Sequence, residues 1–482
     1  MRFERGAAGV TDFGGDLDEP KFAVGVFVRV LGAFRGQFFI SMQMVLRELR
    51  ATLALALPII VGQVGQTLIG TTDSAMIGRV GTVPLAAAAF THGLWIVFFL
   101  FGLGLLMGVG VFSARDGGAG RVEECAAWLR HGRALALAVG IGGFGLLALL
   151  STQLHRFGQP PEVVAIVRPF FLLIALSLVP VLFFQVQRQF AESLGRPWVP
   201  MLVMLGDVGL NALLNWVFIW GHWGAPALGL VGSGVATLLA RSAAVAAIAL
   251  WLGRSKTFAA VRKAPRSGWE WARFRALLGI GVPVGGSLLF ESGAFTAAAL
   301  MMGWLGTTAL AAHQIALCCA AFTFNFPLGL STAVSMRLSR ALGEGRRDAL
   351  RAIGFGALGL SSVMMLTFAA VFVFAGGWLA RGFSADANVI ALAARLLMVA
   401  AVFQVFDGGQ VVGAGALRGL ADVKTPTVIT LVAYWGLAIP GGYFLGVRGG
   451  FGAVGIWVAL AMGLAFAAIF LGVRFARLTR AG

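Results

Sequence analysis

PIIVGQVGQTLIGTTDSAMIG, residues 58–78, closes an apolar run that begins near Ala51. The run is 28 residues long. As helix it would reach about 42 Å, enough to cross a bilayer with some tilt. Pro58 inside it frees a backbone carbonyl and lets the helix bend, which makes it a hinge candidate. Two glutamines, Gln63 and Gln66, and one acid, Asp73, interrupt the apolar pattern. A carboxylate at the centre of a membrane helix costs about 2.5–3.5 kcal/mol, so it faces protein or a wet cavity.

The same pattern returns 225 residues later. Pro58 falls on Pro283, Gln66 on Glu291, Gly78 on Gly303 and Gly81 on Gly306. Arg115, Gly118, Gly120 and Arg121 fall on Arg340, Gly343, Gly345 and Arg346, with no gap between. The ionisable groups have moved: Asp73 faces Ala298, while Glu291 faces Gln66. A membrane unit has been duplicated and its halves carry different acids.

Composition sets the class. Of 482 residues, 59% are hydrophobic and only 12% charged, against about 25% charged in soluble domains, so the chain is a polytopic helical membrane protein. The 68 glycines suit helices that pack backbone to backbone. A net charge of +17 raises nucleic acid as a partner, but the basic residues sit in short connections between apolar runs, which is the pattern that orients membrane proteins. Of the three cysteines, Cys318 and Cys319 are adjacent in an apolar run and build no disulfide or metal framework.

Residues 1–46 read as an amino-terminal leader, either an interfacial helix or disordered. Twelve apolar segments follow, near 51–78, 84–112, 131–152, 163–186, 198–221, 228–252, 276–302, 309–335, 352–376, 389–414, 426–446 and 452–474. Lys and Arg number 25 in the connections on one side and four on the other (Arg79, Arg156, Arg381 and Arg448). Both termini are therefore expected on the cytoplasmic side of a bacterial inner (plasma) membrane. The predicted architecture is all-α, with an N-lobe over 47–253, a cytoplasmic linker over 254–275 and a C-lobe over 276–478. An even number of helices per half makes the repeats parallel, related by a pseudo-two-fold axis along the membrane normal with a cleft between the lobes.

Polar groups inside the apolar segments are few enough to weigh singly. Asp207, Asn211 and Asn215 recur every four residues and share one face of the fifth segment; Thr237 lies on the sixth. Asp73 with Asn211, Asn215 and Thr237 would satisfy a protonated acid or ligate a hard cation, sodium included. The plainer alternative is that the amides only hydrogen-bond between helices. Asp207 reads as lying nearer the cytoplasmic mouth. The second half offers Glu291 and Asp407 as a second proton or sodium pair, or as carboxyls held neutral by packing. Gln66, Trp95, His313 and Gln314 are candidates for a substrate cleft, with Asn325 weaker. Arg168 and Arg241 read as the intramembrane arginines of the first half, neither beside the acids. There is no HExxH, GxSxG, P-loop lysine or CxxC, so neither catalysis nor a cofactor is expected. The remaining energy source is an ion gradient.

The stretches ALPIIVGQVGQ…TTDSAMIGRVG, FGLGLLMGVGVFSARDGGAGR, LNALLNWVFIWGHWGAPALGLVGSGVAT, LFESGAFTAAAL…ALAAHQIAL and FQVFDGGQVVGAGALRGLADVKTP resemble the MATE (multidrug and toxic compound extrusion) family, in its NorM-like branch, over about residues 47–478. The resemblance implies a twelve-helix, two-lobe secondary antiporter that expels cationic aromatic compounds in exchange for H+ or Na+ as the lobes rock. It also implies a monomer in the lipid bilayer, with small cationic substrates and no nucleic-acid partner. The family's N-lobe cation site maps onto Asp73, Asn211, Asn215 and Thr237, its C-lobe site onto Glu291 and Asp407, and its bending proline onto Pro58. One position departs: where such proteins can carry a tyrosine four residues before the second acid, this chain has Phe403, which removes an oxygen ligand. The rival readings are a lipid-linked saccharide flippase, whose cleft would need several arginines for the pyrophosphate, and a channel.

Overall fold

The structure, a computed structural model, describes residues 19–158, 160–265 and 268–480, with side chains from residue 43 onward. The chain divides into two compact units, Met1–Arg47 and Glu48–Gly482. The disorder expected of the leader lies outside the described residues as far as residue 18. From Glu19 the backbone is helical, over Glu19–Gly78, in line with the helical alternative for the leader.

Twelve helices among the described residues are long and apolar enough to cross a membrane. They are α1 (Gln43–Gly78), α2 (Thr82–Gly118), α3 (Val122–Phe157), α4 (Pro161–Ser193), α5 (Trp198–Trp220), α6 (Leu230–Arg254), α7 (Trp271–Trp304), α8 (Thr307–Gly343), α9 (Ala349–Arg381), α10 (Ala387–Gly419), α11 (Lys424–Arg448) and α12 (Gly452–Leu478). Their number matches the twelve apolar runs, but many extend well past them into the basic connections. Arg115, Arg130, Arg133, Arg188, Arg337 and Arg340 are thus helical residues, not loop residues. An arginine stem covers apolar surface while its head finds a partner, so a basic residue need not end a helix. What does end them is glycine. Gly81 and Gly306, and again Gly120 and Gly345, have positive φ at the two ends of α2 and of α8, at positions the repeat relates. The linker is also ordered around a short helix, Ala259–Lys263, and buries Phe258 against Phe190 and Trp251.

Two hydrophobic cores form. One gathers Ile77, Leu106, Val167, Phe170, Leu182 and Phe190 from α1, α2 and α4; the other gathers Met302, Leu396, Phe403, Tyr434, Trp457 and Leu464 from α7, α10, α11 and α12. Between them the backbones come close. A Cβ on Gly118 would overlap the Arg340 carbonyl, and one on Gly343 the Arg115 carbonyl. Likewise Gly104 faces Gly285, and Gly329 faces Ile60. Each contact is the repeat image of its partner, as an interface with two-fold character requires. Ion pairs flank these contacts at the basic end. Buried Glu48 on α1 pairs with Arg337 on α8 and with Arg346 beyond it, and Glu124 on α3 pairs with Arg273 on α7 at 2.5 Å.

The glycine contacts generate a prediction. Gly343→Leu, which drives a side chain into the α2 backbone, should lower the melting temperature of the detergent-purified protein by several degrees, since overpacking costs about 1–3 kcal/mol. Gly359→Leu on α9, which would meet nothing within 4 Å, should leave it unchanged. Equal effects of the two, measured by scanning fluorimetry, would count against a tight inter-lobe contact at Gly343.

Candidate functional site

Three helices assemble the first cluster. α1 carries Asp73, α5 presents Asn211 and Asn215 one turn apart, and α6 supplies Thr237; all four are buried. Asn215 Nδ2 donates to Asp73 Oδ1 at 2.5 Å and to Asn211 Oδ1 at 3.2 Å. The Thr237 hydroxyl lies 3.4 Å from Asp73 Oδ2 and 2.9 Å from the Ser233 carbonyl, so its one hydrogen is shared. Asn211 Nδ2 donates back to Thr237 Oγ1 at 3.4 Å. The groups turned toward Asp73 are donors, which suits an ionised carboxylate. The structure therefore brings together the four residues expected to act as one site.

Asp73 forms one wall of a cavity of about 780 Å³ between α1, α2, α4, α5, α6 and α8. Gln66 and Trp95 line it, as do Asp207, His92, Arg241 and Asn325. Two expectations are corrected here. Asp207, expected near a wet mouth, is buried mid-helix, and its Oδ1 has no hydrogen-bond partner. Arg241, expected away from the acids, lines the same cavity within electrostatic reach of Asp207 and Asp73. Its Nη1 donates to Ser177 Oγ at 2.6 Å, where α4 is interrupted, and its guanidinium sits 4.6 Å from the Trp95 ring centre. Trp95 in turn stacks on Phe99 at 4.8 Å. At the cavity's edge Thr67 on α1 donates to Asn325 Oδ1 on α8 at 3.2 Å. Pro58 lies inside α1 between the Glu48 ion pairs and Asp73, where a bend would change their relation.

His313 and Gln314 do not line the cavity. His313 is buried and its Nδ1 accepts from Trp457 Nε1 at 3.2 Å; Gln314 is exposed. Expected as candidates for a substrate cleft, they lie elsewhere, because α8 turns His313 into its own lobe against Trp457.

The second pair also stands apart from that cavity. Asp407 on α10 is buried and feels the charge of Glu291 on α7. Phe403 packs among Phe295 and Trp457 and offers no oxygen. A phenol arrives from elsewhere: Tyr434 on α11 donates within 3.2 Å of Glu291 Oε1 and lies 3.4 Å from Gln410 Oε1. The expectation that Glu291 and Asp407 act without a phenol is corrected. Tyr434 is one of only two tyrosines in the chain, and its place in an apolar run was the available signal. Sequence reasoning also missed a buried ion pair within α4, Arg188 with Glu192 at 2.7 Å, and buried Arg418, which reaches Ser331 and Ser335. No group of three or more His, Cys, Asp or Glu gathers among the described residues, so a bound sodium ion would rely on mixed carboxylate, amide and hydroxyl oxygens.

A family model described as MatE matches residues 58–217 and 283–444, two segments whose starts are separated by the internal repeat length. A probable multidrug resistance protein NorM from Mesorhizobium japonicum is 37% identical over 443 residues, covering 90% of this chain and 95% of its own. One from Pseudomonas putida is 38% identical over 431 residues, covering 88% and 93%. The multidrug resistance protein PmpM of Pseudomonas aeruginosa is 35% identical over 445 residues, covering 90% and 92%. Among solved structures, a MATE protein in a bent conformation superposes with a TM-score of 0.83 at 20% identity, covering 92% of this chain and 98% of that one. A multidrug resistance MATE family transporter in an outward-facing conformation gives 0.81 at 21% identity, covering 90% and 96%.

The cluster around Asp73 is predicted to be a stability determinant. Asn215→Ala removes the closest donor to a buried carboxylate and should destabilise the protein by about 1–3 kcal/mol. Gln314→Ala, at an exposed site, should stay within about 0.5 kcal/mol of the parent. Denaturation in detergent measures both, and an unaffected Asn215→Ala protein would show that Asp73 does not depend on that amide.

Proposed function

The chain belongs to the MatE family, a family of multidrug transporters and not of enzymes, and from that premise we propose that it is a secondary antiporter exchanging cationic aromatic compounds for protons. The observation that carries the proposal is the carboxylate of Asp73, buried and held only by donors at the wall of a drug-sized cavity. An ionised Asp73 attracts a cation into that space. A proton arriving from outside removes the attraction and favours release. A proton on Asp73 Oδ2 needs only that the Thr237 hydroxyl keep its hydrogen on the Ser233 carbonyl and accept from the acid, whereas a sodium ion would need the Asn215 amide to turn its oxygen inward.

The C-lobe supports a second, narrower reading. Glu291, Asp407, Gln410 and the phenol of Tyr434 supply oxygens on three helices, a set better suited to sodium than the acid pair alone.

Every hydrogen bond between the lobes among the described residues lies at Thr67–Asn325 or toward the basic end. With the basic end cytoplasmic, as the positive-inside rule directs, we read this as a state closed on the cytoplasmic side. Uptake of substrate from the cytoplasm then requires the Glu48 and Glu124 pairs to part as the lobes rock, with Pro58 allowing α1 to bend. On this reading the protein sits in the inner membrane with both termini cytoplasmic.

The test is dye efflux from proteoliposomes under proton and sodium gradients imposed separately. A proton gradient should drive efflux, and Asp73→Asn should reduce it at least tenfold while the protein still inserts. Tyr434→Phe should lower any sodium-dependent component and spare the proton-driven one. Efflux that requires sodium and ignores protons would reverse the assignment, and wild-type efflux by Asp73→Asn would remove Asp73 from the mechanism.

A further inference from the structure

The titratable side chains lining the 780 Å³ cavity are Asp73, Asp207, His92 and Arg241. Asp73 is engaged by Asn215 and Thr237. Asp207 has no hydrogen bond and no ion pair among the described residues, although it is buried and borders the space. Arg241 has no carboxylate partner at bonding distance either. It is held on Ser177 and over Trp95, facing both acids across the cavity. Arg188, deeper between the lobes, is already matched by Glu192 and adds no net charge.

On the reading that this cavity carries cationic substrates, we propose that Arg241 restricts the substrate to monovalent organic cations and that Asp207 is the carboxylate that binds them. With both acids ionised and His92 neutral, the cavity has one negative charge in excess of Arg241. One organic monocation cancels it. A dication leaves an uncompensated positive charge in a low-dielectric space beside a guanidinium that cannot give up its proton. Specificity here comes from a built-in repulsive element as well as from an attractive one. Arg241 also occupies one face of Trp95, while Phe99 is stacked on that ring, so that aromatic pair is already committed to a cation of the protein itself. Asp207, which lines the cavity with no hydrogen bond or ion pair of its own among the described residues, is left as the charge partner for a substrate cation.

Ethidium and propidium test this directly, because they share one phenanthridinium ring system and differ by a second fixed charge. Wild-type protein in proteoliposomes should expel ethidium in clear preference to propidium. Arg241→Gln should shift the ethidium-to-propidium ratio toward propidium by about tenfold, the scale of one added like-charge contact. Arg241→Lys, which keeps the charge, should hold the wild-type ratio, and Asp207→Asn should lose ethidium efflux. Should Arg241→Gln fail to fold, fluorescence titration of the purified wild-type protein with both dyes decides: tighter ethidium binding supports the proposal, and equal affinities overturn it. A ratio unmoved by Arg241→Gln in an active transporter overturns the selectivity and leaves the antiport reading standing. Transport of neither dye under any gradient overturns both.

Discussion

A carboxylate buried among apolar helices has to be satisfied before anything else in its lobe can settle. Asp73 meets that demand only if α5 and α6 stand beside α1 at a fixed height, so that Asn215 and Thr237 reach its two oxygens. The height is set by backbone. Gly232 on α6 lies against the carbonyl of Phe218 on α5, where any Cβ would overlap it. That close approach aligns Asn211 with Thr237 and stacks four polar groups on three helices. The unbonded Oδ1 of Asn215 and of Asp207 show that the satisfaction is partial. Polar capacity is left over along one face of α5, at Asp207 on the cavity and at Asn215 within the packed cluster.

The duplication builds the frame and then departs from itself in charge. Gly118 against Arg340 and Gly343 against Arg115 are images of one contact, as are Gly104 against Gly285 and Gly329 against Ile60. At the basic end the images are reversed. Glu48 and Arg273 occupy corresponding positions, yet the first is an acid served by two arginines and the second an arginine served by Glu124. Both positions keep an ion pair across the lobes, and neither pair can swap partners with the other. A symmetric interface between identical halves could slip or exchange; opposite polarity at its two ends fixes which lobe is which.

Much of this was legible in the residues. Twelve apolar runs, a repeat of 225 residues and the asymmetry of basic connections define the helices and the lobes without any coordinates. The helix ends were not legible, because hydropathy falls where arginines begin while the helix continues until a glycine turns it. Arg188 and Arg337 were therefore misplaced in loops. Asp207 and Arg241 are a different kind of miss. The four-residue spacing puts Asp207 on one face with Asn211 and Asn215, and Arg241, four after Thr237, by the same spacing on the face of Thr237, so both line the cavity that Asp73 borders. Tyr434 could not be reached that way. It comes from α11, where π-helical turns over Val432–Ala438 set side-chain direction, and no periodicity of α7 or α10 foretells it.

The two lobes solve the same problem at different depths. Asp73 and Asp207 border open space, so a ligand can reach them with a change of charge and little change of shape. Glu291, Asp407 and Tyr434 lie on α7, α10 and α11, and none of them lines that cavity. On the proposed reading, a charge arriving there does not meet the occupant of that cavity. It can only alter how those three helices pack, and α7 is the helix whose Gly285 rests on Gly104 of α2 at the centre of the lobe contact. On the proposed reading, Glu291 and Asp407 are thus positioned to act on the contact between the lobes, and Asp73 and Asp207 on the occupant of the cavity.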